Sequence, residues 1–202
     1  MFTFNPKNFT MSSKLYLSVL LTVFVTVSTF AQKYTNTEMS EVTKSYQGNE
    51  FSSNKTLSEN LKEAKGFSYF SEILENYSEE IFTDEFMGTV FVISDAGVEK
   101  VKEENETFDF SDPAYQKFQL QFFTIPGRLD AHAIKKAVEK GGGSASFKTL
   151  EGAVIVIQKT GDQLYLYGPD NARSKIIASD FFHRHGFFHI VEGPLAPSNN
   201  KE

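Results

Sequence analysis

The chain predicts an α+β domain on three observations: helix-start signals crowd its first half, alternating strands crowd its second, and no cysteine is available to staple either. With 202 residues, 40 % of them hydrophobic and 21 of them phenylalanine, it holds enough apolar surface for one core.

Lys14 precedes an apolar run from Leu15 to Val27, and Thr29-Phe30-Ala31 puts small residues at the two positions a signal peptidase reads. Residues 1–31 therefore read as a signal peptide cleaved after Ala31, with Met11 as an alternative start to Met1. The run falls short of the ~20 apolar residues of a membrane span, so no stable anchor is expected after cleavage. Cleavage removes Lys7 and Lys14 and no acid, which takes the formal charge from −6 to −8. An acidic chain without a Lys/Arg-rich block lacks the footprint that phosphate backbones require, so nucleic acid is not an expected partner. Export without disulfides suits a periplasmic or bacterially secreted protein.

Residues 32–53 are polar and aperiodic and read as a spacer, flexible or loosely docked. The folded unit is expected over residues 54–197, with 198–202 as a tail. Thr56-Leu57-Ser58-Glu59 has capping-box spacing and starts a helix carrying Leu57, Leu61 and Ala64. Phe70, Ile73, Leu74 and Tyr77 make one stripe, which predicts a helix over about 68–77. Gly88 to Ile93 reads as a buried strand, followed by a short helix that Ser94 or Asp95 caps and that turns Val98 and Val101 inward. Asp112-Pro113 starts a helix with Tyr115, Phe118 and Phe122 on one side, and Ile125-Pro126-Gly127 ends it in a turn. Asp130 caps a helix with Ala131, Ile134 and Val138, stopped by Gly141-Gly142-Gly143-Ser144. Strands are then expected at Phe147–Leu150, Val154–Gln158, Leu164–Tyr167, near Lys175–Ala178, and at Phe187–Val191.

That last segment alternates apolar residues around His189 before Gly193-Pro194, so it reads as a buried closing strand whose histidine bonds neighbouring backbone. His132, His183, His185 and His189 are the only group that suggests a metal. Arg184-His185-Gly186 reads as a turn that breaks their alternation, and no acid or cysteine completes a ligand spacing, so no metal or other cofactor is expected. Catalysis finds no footing either: there is no Gly-x-Ser-x-Gly elbow, and the glycine run lacks the Gly-Lys-Ser/Thr ending of a phosphate loop. Glu79-Glu80 and Glu103-Glu104-Asn105-Glu106 are adjacent rather than opposed across a cleft. Phe181-Phe182 and Phe187-Phe188 are pairs whose members face opposite ways on a strand, so helices or a partner must cover the second face.

Several segments, in order, carry a family resemblance. Thr89-Val90-Phe91-Val92-Ile93-Ser94-Asp95 resembles the Thr-Val-Phe-Ala-Pro-Thr-Asp segment of fasciclin-like (FAS1) domains. Thr124-Ile125-Pro126-Gly127-Arg128-Leu129 is similar to their Val-Val-Pro-Gly-Arg-Leu turn, and Thr149-Leu150-Glu151-Gly152 to their Thr-Leu-x-Gly strand entry. The stretch from Gly186 to Pro197 resembles their closing motif, with His185 where the pattern has Asn. The motif residues it singles out are Thr89, Phe91, Asp95, Pro126, Gly127, Gly186, His189, Gly193 and Pro197. Phe122-Phe123 replaces the family's Tyr-His pair, which leaves a receptor contact of that kind without its residues. The resemblance spans about residues 54–197 and implies a two-layer β wedge or sandwich with helices packed at one side. It also implies a non-enzymatic, exported module that meets a protein or glycan at a cell surface, in adhesion or matrix organisation. The alternative is a periplasmic protein that binds a small molecule or glycan.

Overall fold

The computed structural model describes residues 40–83, 85–104, 109–168 and 172–195. The signal-peptide reading, Asn105 and Glu106 of the acidic run, Pro197 and the tail lie outside the described residues.

The compact unit starts at Glu41 rather than Asn54, which corrects the spacer reading over 41–53; residues 32–39 of that spacer lie outside the described residues. Strands β1 (Thr43–Tyr46) and β2 (Asn49–Ser52) pair antiparallel, from Thr43↔Ser52 to Tyr46↔Asn49. Gln47 and Gly48 between them take φ of +48° and +80°, the left-handed pair that a two-residue hairpin needs. Of the hairpin's apolar side chains only Phe51 is fully buried, edge-on to Phe181 and Phe188 at 5.4 and 5.1 Å. Asn60 ties down the hairpin's end, accepting from Ser52 N–H at 2.8 Å and donating to Ser52 C=O at 2.9 Å. Tyr46 packs on Phe67 and Phe181, but strands that bury only one apolar side chain fully look like linker when hydrophobicity is averaged along them.

Helix α1 (Leu57–Leu61) carries the full capping box: Glu59 N–H donates to Thr56 Oγ1 and Thr56 N–H to Glu59 Oε2. Helix α2 (Ser68–Ile81) buries Phe70, Ile73 and Leu74 and runs a turn past the expected end. Ser94 caps α3 (Asp95–Glu104), accepting from Gly97 N–H. Asp112 caps α4 (Pro113–Phe122) and Asp130 caps α5 (Ala131–Lys140), each through the amide three residues on.

The remaining strands are β3 (Gly88–Ile93), β4 (Thr124–Pro126), β5 (Ser144–Lys148), β6 (Val154–Thr160), β7 (Gln163–Tyr167), β8 (Arg173–His183) and β9 (Gly186–Val191). They form one mixed sheet in the order β4-β3-β9-β8-β7-β6-β5, with β3 and β9 parallel and the other pairs antiparallel. Helices plus this sheet make the α+β class. The turn expected at Ile125-Pro126 is instead an edge strand, where proline's missing N–H breaks no ladder. β5 starts at Ser144, ahead of the expected Phe147.

β8 is much longer than the expected 175–178 and belongs to both halves of the sheet, pairing β7 through Arg173–Lys175 and β9 from Ile176 onward. Register shifts between Ile176 and Ala178 and between Ala178 and Phe181 break its alternation, with Asp180 held at φ +60°. The phenylalanine pairs are split by the pleat. Phe181 and Phe188 stack in the core at 5.0 Å, while Phe182 and Phe187 meet at 4.9 Å, half-buried on the other face, with the Arg128 guanidinium 5.3 Å over Phe187.

Candidate functional site

Three motif residues converge on the segment after β4. Thr89 Oγ1 donates to Gly127 C=O and accepts from Leu129 N–H, both at 2.8 Å. His189, fully buried with Phe91 stacked at 5.5 Å, donates from Nε2 to Leu129 C=O at 2.9 Å and accepts at Nδ1 from Asp180 N–H at 3.2 Å. The Asp180 N–H assigns the ring proton to Nε2. Asp180 in turn accepts from Ala131 N–H at 2.6 Å, so one polar chain links β3, β9, the β8 bulge and the start of α5.

The other motif residues are placed separately. Asp95 reaches back to α2 and accepts from Ser68 N–H at 2.9 Å and Tyr69 N–H at 3.0 Å, satisfying amides at the start of a helix whose own N-cap, Phe67, supplies no side-chain acceptor. Gly186 takes φ +148° at a place where a Cβ would stand 1.9 Å from Gly88 O, so any other residue would part β9 from β3. Gly193 exchanges two hydrogen bonds with the Ser174 hydroxyl. Pro126 ends the β4 edge. These positions hold elements together, and Asp95 also lines a polar pocket of about 220 Å3 with Glu72, Glu99 and Lys102.

The four histidines do not assemble. His132 is exposed on α5, His189 is enclosed, and His183 ends β8 with His185 in the turn that follows, their rings 6.3 Å apart. Among the described residues no three His, Asp or Glu side chains come together around a metal position. Burial pushes the imidazoles of both His183 and His189 down from the ordinary 6.5, His183 to about 4, so both are neutral at pH 7.

Two surfaces remain. The first is the outward face of β5–β8. Ile155, Ile157 and Leu166 point into the core, so the pleat turns Val154, Val156, Tyr165 and Tyr167 to the other face. Val154 is 55 % exposed, both tyrosines are half-buried, and the Arg173 guanidinium lies 5.4 Å over Tyr165. Lys148, Arg173 and Lys175 share that parity, and no carboxylate occupies it among the described strand residues. The alternation at Leu164–Tyr167 carries this face in the sequence, since Tyr165 and Tyr167 fall on the parity opposite Leu164 and Leu166.

The second surface is a cleft of about 530 Å3 between α1, the end of α2 and the β8–β9 turn. Leu57, Leu74, Phe82, Phe86 and Val90 give it an apolar lining, with Phe82 and Phe86 stacked at 4.8 Å. Glu59, Glu79, His183 and His185 supply its ionisable groups. The His183 ring is 5 % exposed; its Nδ1 accepts from His185 N–H at 3.3 Å, and its Nε2 has no hydrogen-bond partner. Among the described residues no helix is long and apolar enough to cross a membrane.

A family model for the fasciclin domain matches residues 65–197. A solved FAS1 domain pair from the insect cell adhesion molecule fasciclin I superposes with a TM-score of 0.59 at 14 % identity, over 71 % of this chain. The chain spans 51 % of that solved chain, and at this identity the likeness speaks for the fold alone. No curated protein matches the chain.

Proposed function

The chain belongs to the fasciclin-domain family, and from that premise we propose that it is an exported, non-enzymatic module that makes surface contacts with a protein or glycan partner at a cell surface, in adhesion or matrix organisation. The observation that carries the proposal is the outward face of β5–β8. Tyrosine and arginine are the side chains that most often anchor interfaces, because they bury large area with few rotors and keep a polar end. Here Tyr165, Tyr167 and Arg173 sit together with Val154 and Val156, on a protein whose formal charge is −6. A basic, aromatic face on an acidic body orients the module, since it draws an acidic or polar partner to that side and turns the rest of the surface away. One such face makes a weak contact, and many copies on a crowded surface would add through avidity.

The test is adhesion of beads coated with the purified protein to cell-surface preparations, wild type against a Tyr165→Ala/Tyr167→Ala double variant. Adhesion is expected to fall at least tenfold, and further with added salt, while the melting temperature moves by only a few degrees. Equal adhesion of the two proteins would remove this face from the account.

A further inference from the structure

The cleft beside the β8–β9 turn shares no residue with the Tyr165–Arg173 face, and its chemistry is different. Three observations define what it would accept. Its volume of about 530 Å3 lies within the range of small-molecule sites, and Leu57, Leu74, Phe82, Phe86 and Val90 offer an apolar body its seat. Glu59 and Glu79 stand in its lining with no lysine or arginine among the described lining residues, which disfavours a negative charge. Arg184 and Lys55 act on Glu59 from outside the lining, and Arg184 is itself engaged, donating from its guanidinium to Asn54 C=O at 2.7 Å.

The third observation is the His183 ring. Because Nδ1 accepts from His185 N–H, the ring proton sits on Nε2; the Phe187 backbone favours that proton, but Nε2 completes no hydrogen bond. A buried donor without a partner costs about 1–3 kcal/mol, so the folded chain keeps a standing demand for one acceptor atom. His183 is itself a lining residue of the cleft, and the bond that holds its ring in place is long, 3.3 Å.

We propose that this cleft is a binding site for an uncharged small molecule with an apolar body and one carbonyl or hydroxyl oxygen, which accepts a hydrogen bond from His183 Nε2–H. The apolar body lies against Phe82, Phe86 and Leu74, and the oxygen sits at the turn end. A carboxylate in the same place would face Glu59 and Glu79, and an amine would leave the His183 N–H unmet.

The experiment uses three eight-carbon probes of matched length, octanamide, octanoate and octylamine, titrated at pH 7 into the isotope-labelled protein and followed by NMR at Leu57, Leu74, Val90 and the His183 ring. Octanamide is expected to shift these signals saturably and to bind at least fivefold more tightly than either of the others. In His183→Phe that advantage over octylamine is expected to vanish. A Glu59→Gln/Glu79→Gln double variant keeps the cap, because glutamine also serves at the third helical position, and it is expected to bring octanoate to within twofold of octanamide. Octanoate or octylamine binding wild type as tightly as the amide, saturable shifts located elsewhere, or no saturable shift with any probe would each overturn the proposal. The double variant keeps the proposal falsifiable should His183→Phe fail to fold.

Discussion

His183 and His189 lie in neighbouring strands, both buried and both neutral at pH 7, yet they differ in one respect that separates their roles. Both ring nitrogens of His189 are bonded to backbone, at Leu129 and Asp180, so its hydrogen-bonding capacity is spent inside the fold. His183 spends one nitrogen on the adjacent turn and leaves the other unmet beside a cleft. Burial therefore does not by itself mark a histidine as structural. The full account of its two nitrogens does, and on that account His189 is a tie within the fold and His183 is a donor held in reserve.

The largest effect that would break this comparison is the loss of His189. His189→Ala leaves Asp180 N–H and Leu129 C=O without partners and opens a void beside Phe91, with an expected loss of about 3–5 kcal/mol of stability. For a domain of this size that corresponds to a fall in melting temperature of about 10 °C or more, read by calorimetry. His189→Gln, which keeps a donor and an acceptor on a longer arm, is expected to fall between wild type and alanine. A loss under about 1 kcal/mol in His189→Ala would mean that the clamp around Leu129 holds without its imidazole.

Much of this was legible in the sequence wherever the physics is local. The caps at Thr56, Asp112 and Asp130 each satisfy an amide three residues on, so spacing alone finds them. Asp95 is the contrast: its position offers it as a cap for the helix that follows, while its carboxylate serves Ser68 and Tyr69 on α2, and no sequence window spans that distance. The hairpin at Thr43–Ser52 hides in the sequence because Phe51 is the one apolar side chain it buries fully, and β8 looks short there because bulges around Ala178 interrupt the alternation. Among the motif residues, His189 stands out from its apolar frame. The cleft at His183 did not, because it exists only where α1 and α2 come to rest beside the β8–β9 turn.

Acid titration sharpens the comparison next. Both imidazoles have folded values below the ordinary 6.5, first through burial, so the unfolded chain takes up protons before the folded one does. Their contribution to stability is present in full above about pH 7 and is lost as the pH falls through 6.5 toward the folded values. For His183, with a folded value of about 4, the expected loss between pH 7 and pH 5 is about 2 kcal/mol, and His189 adds a loss of the same sign. Denaturant unfolding at pH 7, 6 and 5 measures it, in a window above the range where carboxylates titrate. A flat profile would show that water reaches these rings.

The smallest effect is the most discriminating. His183→Phe keeps a ring of similar shape, removes the unmet Nε2–H, and costs His185 N–H its long bond, so gain and loss nearly cancel. Stability at pH 7 is expected to stay within about 1 kcal/mol of wild type, against the several lost at His189. At pH 5 the variant should be the more stable protein, because the acid penalty attached to His183 is gone while that of His189 remains. A change of order with pH follows only if the ring at position 183 is buried, neutral and incompletely bonded. A variant that is destabilised equally at both pH values would place His183 beside His189 as a second structural tie.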